Sequence, residues 1–153
     1  MKVKSLVLIL GFMSVFSVYS DVINVEHALE KIRKIERSRV YDFVKTHKIY
    51  FIHAGFCPMC HAISPMVRSF VDRFDLDVEA ITVDGDLLKE FPEATQEFSY
   101  VRKFKILRLP ALVVASKSSD EVVGLKYGLV PEGNIIDWFA DVINNFNFMK
   151  ENL

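Results

Sequence analysis

The sequence predicts an α/β domain. Two patterns carry that reading: short apolar runs bounded by turn residues, and longer stretches whose apolar residues recur at helical spacing, in the order α-β-α-β-α-β-β-α. Composition is the third observation. The chain has 153 residues, 51% of them hydrophobic, with Pro and Gly placed singly at element ends. It contains no internal repeat or low-complexity tract, so it supports one domain with one core.

The elements follow in order. At the N-terminus Lys2 and Lys4 precede an apolar run from Leu6 to Val18 that ends in Ser17-Val18-Tyr19-Ser20. This is the layout of a cleavable secretory signal over residues 1–20, and the run is short for a membrane span. An uncleaved anchor is the alternative, and with no cysteine near the cut, lipoprotein processing is excluded. Removing 20 of the 153 residues leaves 133 and takes away two lysines and no acid, moving the net charge from −1 to −3. An acidic chain without a Lys/Arg block is a poor ligand for nucleic acid, so none is expected as a partner.

Residues 21–47 read as a short strand at Asp21–Val25 and a long amphipathic helix carrying Leu29, Ile32, Ile35, Tyr41 and Val44. The continuous apolar run 48–54, between Lys48 and Gly55, has the character of a central strand buried on both faces. From Pro58 the residues Met59, Ile63, Met66, Val67, Phe70, Val71 and Phe74 form one helical stripe, which Pro65 is expected to kink. Residues 76–83 form the next strand, closed by Asp84-Gly85-Asp86, which is read as a turn because it lacks the further acids of a calcium loop. A loop over 87–94 leads to a short helix with Phe98, Val101 and Phe104. Two strands at 110–116 and 121–128 are joined by the polar turn 117–120. Pro131 opens a last helix with Ile135, Ile136, Phe139, Val142, Ile143 and Phe146 on one face.

Both cysteines lie in Phe56-Cys57-Pro58-Met59-Cys60-His61. Three chemistries use such a stretch: attachment of a c-type haem, part of a zinc site, or a dithiol redox centre. Haem attachment fits the six residues literally, but a c-type domain is generally helical, whereas at least four strands are expected here. Zinc needs a fourth ligand, and His53, on the buried strand, is expected to be a satisfied core histidine. No metal or cofactor is therefore expected. A bridge between residues three apart closes a loop too short to staple a fold, and an exported disulfide framework carries more cysteines, spread further.

The remaining reading uses the position of the pair. A strand, a three-residue turn and a helix place Cys57 at a helix N-cap, where free amides and the helix dipole favour the thiolate. Cys57 is expected to be the exposed thiol of the pair, and Cys60 lies one turn in, shielded, as a resolving thiol. Further along, Pro110 stands at the entry to a strand, where a cis Leu109-Pro110 bond accounts for a proline that cannot serve the ladder.

These residues resemble the thioredoxin-like superfamily: Cys-x-x-Cys after the first central strand, a proline eight residues beyond the first cysteine, and x-Pro before the third strand. The stretches 50–70, 81–85 and 104–115 are most similar to the TraF/TrbB periplasmic thioredoxin-like proteins of F-type conjugative transfer systems, over about residues 48–146. The resemblance implies a central mixed β-sheet flanked by helices over 48–148, with an extra N-terminal helix. It implies Cys57 as nucleophile and Cys60 as resolving thiol of a redox-active disulfide, with Leu109 and Pro110 docking substrate. Met59 is a further substrate contact; Pro58 and His61 tune the potential. One departure is visible: many thioredoxins carry a buried acid six residues before the first cysteine, and Phe51 stands there.

The expected protein is thus a periplasmic thiol–disulfide oxidoreductase or isomerase acting on exported cysteine-containing proteins, served by a membrane or periplasmic redox partner, in pilus or type IV secretion assembly. A non-catalytic scaffold with a structural disulfide is the alternative. Oxidase, isomerase and reductase directions stay open, and the helix over 26–46 is a candidate homodimer surface.

Overall fold

Strand β1, His47–His53, is the centre of the molecule, and all but one of its residues are buried. The computed structural model describes residues 38–128 and 132–151. The signal segment, the strand at 21–25 and the helix before residue 38 lie outside the described residues, as does their expected role in dimerisation. Helix α1 covers 38–46 among the described residues.

Around β1 the sheet has five strands in the order β3-β2-β1-β4-β5. Strand β2, Val78–Thr82, lies parallel to β1 with Phe51 opposite Ala80, and β3, Thr95–Gln96, extends that side in parallel. On the other side β4, Ala111–Ser116, runs antiparallel to β1 with Phe51 opposite Leu112. Strand β5, Val122–Tyr127, completes a hairpin with β4 through a register shift at Val114/Ala115. This is the mixed sheet of the thioredoxin-like fold.

The two faces are covered by different helices, which is why β1 reads as an unbroken apolar run rather than an alternating one. Ile49 and Phe51 join the cluster formed by α2, Pro58–Arg73, and α4, Glu132–Glu151, through Ile63, Val67, Phe70, Ile135 and Phe139. Tyr50 and Ile52 face the other way, with Phe104 and the helix α3, Phe98–Lys103. Phe43 of α1 is buried on the first face, its ring stacked on His47 at 4.0 Å.

Two local features add to the sequence reading. Helix α2 continues through Pro65. The carbonyl that Pro65 leaves without an N–H is that of His61, and the Ser64 hydroxyl reaches it at 3.2 Å while also meeting Glu90 Oε2 at 2.7 Å. Strand β3 was not expected from the sequence. It is two exposed residues long and has no apolar face to announce it.

Candidate functional site

The end of β1 delivers the chain into a tight turn, in which Cys57 N donates to Ala54 O at 3.3 Å. Cys57 is the N-cap of α2, with extended backbone (φ −92°, ψ 105°), and Pro58 follows at the helix start, where no N–H is needed. The Cys57 sulfur accepts the Cys60 amide at 3.2 Å, replacing the oxygen of an ordinary cap. Both cysteines are free thiols.

The sequence reading made Cys57 an exposed thiol. In the structure it is only 8% exposed and Cys60 is fully buried. The capping bond turns the Cys57 sulfur inward, toward the helix amides. Burial pushes the Cys60 thiol well above its ordinary pKa, and its hydrogen bond to Cys57 adds to the shift; the Ala54 amide, bonded to the Cys60 sulfur, works against it.

A second loop holds the first in place. The Asp84 carboxylate receives Gly55 N at 3.1 Å on Oδ1 and Phe56 N at 3.2 Å on Oδ2, the two amides that precede Cys57. The same Oδ1 receives the Thr82 hydroxyl at 2.8 Å and Asp86 N at 3.1 Å. Partial burial opposes ionisation, but these bonds, led by that from Gly55, hold the carboxyl well below the usual range. Gly85 takes φ +87°, which lets the loop fold back on Thr82. Gly55 lies against Asp86, and a methyl group there would collide with the Asp86 Cβ. Asp84 is the residue that sequence reasoning passed over as a turn. Its partners lie 28 and 29 residues away, so no local pattern could reveal it.

His61 is exposed, and its Nε2 donates to Gly55 O at 2.7 Å, tying α2 back to the same turn. Its neighbour Met59 is 49% exposed on the first turn of the helix. Beside Cys57 opens a groove of about 490 Å³, lined by Phe56, Pro58, Phe98, Leu107, Arg108 and Leu109, among others. Phe56, Phe98 and Leu107 are 74%, 55% and 84% exposed, an apolar rim that the sequence analysis did not assemble. Leu109-Pro110 is cis, as expected from the sequence. Leu109 shares the groove with Cys57, whereas Pro110 is buried at the start of β4 and Met59 lies outside the lining.

His53 is fully buried, as expected of a core histidine, yet neither ring nitrogen has a hydrogen-bond partner among the described residues. The expectation of a satisfied side chain is therefore corrected. Among the described residues no cluster of three His, Cys, Asp or Glu side chains is placed to hold a metal ion.

The profile of the TraF family, described as an F plasmid transfer operon protein, matches residues 25–139, most of the chain and the whole of this site. The chain belongs to the TraF family. Protein TraF of Escherichia coli (strain K12) is 19% identical over 131 residues, 86% of this chain and 52% of that protein. This TraF-family chain thus spans about half the length of the curated relative it matches. Similar solved structures include StoA from Bacillus subtilis (17% identity, TM-score 0.47, covering 61% of this chain and 82% of that one). Another is thioredoxin 1 from Thermosipho africanus TCF52B (16% identity, TM-score 0.46, covering 68% of this chain and 98% of that one). Among the described residues no helix is long and apolar enough to cross a membrane.

Proposed function

We propose that this TraF-family chain is a periplasmic thiol–disulfide oxidoreductase acting on exported proteins, within a conjugative transfer apparatus. The observation that carries the reading is the placement of the two sulfurs. Cys57 caps a helix N-terminus at the edge of an open apolar groove, and Cys60 stands behind it, buried and held protonated. An incoming substrate disulfide, laid in the groove with apolar side chains against Phe56, Phe98 and Leu107, presents a sulfur to the Cys57 thiolate. A Cys57–substrate disulfide forms and the other substrate sulfur leaves with the electron pair of the broken bond. Cys60 then attacks Cys57, forming the Cys57–Cys60 disulfide and releasing the second substrate thiolate. Two electrons pass from the dithiol to the substrate. Run in reverse from the oxidised pair, the site donates a disulfide. The N-terminal signal pattern and the family both support the exported location.

The burial of Cys57 favours a second reading, a scaffold with an inert bridge. Trapping separates the two. Cys60→Ser is expected to accumulate mixed disulfides with substrate proteins, because the intermediate forms and cannot be resolved; Cys57→Ser is expected to trap none. If neither variant traps substrate and the wild-type pair stays oxidised in glutathione buffer, the scaffold reading stands instead.

A further inference from the structure

Resolution of the mixed disulfide requires Cys60 to lose its proton, yet Cys60 is fully buried and the residue six before Cys57 is Phe51, which cannot accept one. We propose, resting on the redox reading above, that His53 is the proton acceptor for Cys60 in that step.

Its place in the fold supplies the argument. His53 ends β1 two residues after Phe51, on the same face of the strand, with the two ring centroids 5.3 Å apart. That face is the one α2 covers, and Phe51, Cys57 and Cys60 belong to one packed cluster. The next residue, Ala54, meets both cysteines: its carbonyl accepts Cys57 N at 3.3 Å and its amide is bonded to the Cys60 sulfur. A fully buried imidazole with no partner on either nitrogen among the described residues carries a desolvation cost that a phenyl or isobutyl group would avoid. Such a group calls for an explanation, and a free base on the face of β1 that α2 and its buried thiol cover provides one.

The surrounding charges fit the task. Burial lowers the His53 pKa to about 4, so the ring is neutral and able to accept at neutral pH; the Asp84 carboxylate acts the other way and His61 acts with burial. Asp84 also acts on Cys60. Burial penalises a lone thiolate and a lone imidazolium separately. Moving the Cys60 proton to His53 creates both at once, as a pair, and each charge offsets part of the other's cost. Asp84, ionised by its four hydrogen bonds, stabilises the imidazolium side. In balance, the Cys60–Cys57 bond forms as the Cys57–substrate bond breaks. The substrate sulfur departs with the electron pair, the Cys60 proton moves to a His53 ring nitrogen, and from there it neutralises the departing thiolate.

The test separates the two half-reactions. Full-length reduced protein is mixed with oxidised glutathione, quenched in acid at intervals, and the Cys57–glutathione adduct followed by mass spectrometry. His53→Phe is expected to leave adduct formation unchanged and to slow its resolution about 100-fold, the lower range for loss of a general base. Phe51→Asp added to His53→Phe is expected to restore much of that loss. Equal slowing of both steps, or resolution at the wild-type rate, overturns the proposal. If His53→Phe does not fold, the solvent isotope effect on wild-type resolution decides: slower resolution in D2O supports transfer to a general base, and an absent or inverse effect overturns it. Failure of Cys60→Ser to form any adduct overturns the redox reading itself, an outcome distinct from the others.

Discussion

Replacing Asp84 by Asn changes one atom and probes the contact that fixes the turn before Cys57. Three donors converge on Oδ1, namely Gly55 N, the Thr82 hydroxyl and Asp86 N, and one, Phe56 N, on Oδ2. The asparagine oxygen can replace Oδ1, but its NH2 group then faces the Phe56 N–H and that bond is lost. A hydrogen bond to a charged acceptor contributes about 1.5–3 kcal/mol, and the low end applies because Phe56 is exposed. The three remaining bonds change from a carboxylate to a neutral acceptor and weaken by a few tenths of a kcal/mol each. The expected destabilisation is about 2 kcal/mol. With a urea m value of about 1–3 kcal/mol/M, the midpoint falls by roughly 1 M with m unchanged. Asp84→Ala, losing all four bonds, is expected to cost more, up to about 6 kcal/mol at about 1.5 kcal/mol for each bond. A shift below about 0.3 kcal/mol for Asp84→Asn would refute the view that this carboxylate braces the two loops.

Three further outcomes are expected. Gly55→Ala forces a methyl against the Asp86 Cβ, which is fixed to its backbone, and should destabilise by about 1–3 kcal/mol in the same urea assay. Lys105 closes α3 at φ +51°, between Ile106 N donating to Val101 O at 2.9 Å and Lys105 N donating to Arg102 O at 3.2 Å. Lys105→Gly should therefore raise stability by about 0.5–1 kcal/mol, read as a higher thermal midpoint. Because the folded His53 pKa is lowered to about 4, its share of stability is present above the unfolded value of about 6.5 and is lost as pH falls between the two. Urea midpoints measured from pH 7 to 4 should show an acid-induced loss of about 2–3 kcal/mol in the wild type that His53→Phe removes.

What could be read from the sequence was what repeats locally. The run around Phe51 gave away β1 because both faces of that strand are covered, and the stripe from Ile63 to Phe70 gave away α2 because only one face of that helix is. The N-cap position of Cys57 followed from a strand, a short turn and Pro58. Three features stayed hidden for physical reasons. Strand β3 buries nothing. Asp84 acts across nearly thirty residues, and its neighbour Gly85 marked the stretch as a turn. The left-handed backbone at Asp75 and Lys105, just past the ends of α2 and α3, has no glycine to announce it. His53 was legible as buried, but whether its nitrogens found partners was a question only the packed fold could answer.

The pairing of β1 with both an early and a late strand also bears on how the chain comes together. As synthesis proceeds, residues 47–60 exist before 78–82, and well before 111–116, which supply the antiparallel neighbour of β1. The dithiol is therefore present for some fifty residues of growth while one side of its strand has no partner. In a chain with scattered cysteines that interval would invite mispairing. Within this sequence the only two cysteines lie three positions apart, so they offer a single intramolecular pairing. The order of assembly cannot scramble thiols that offer only one pairing.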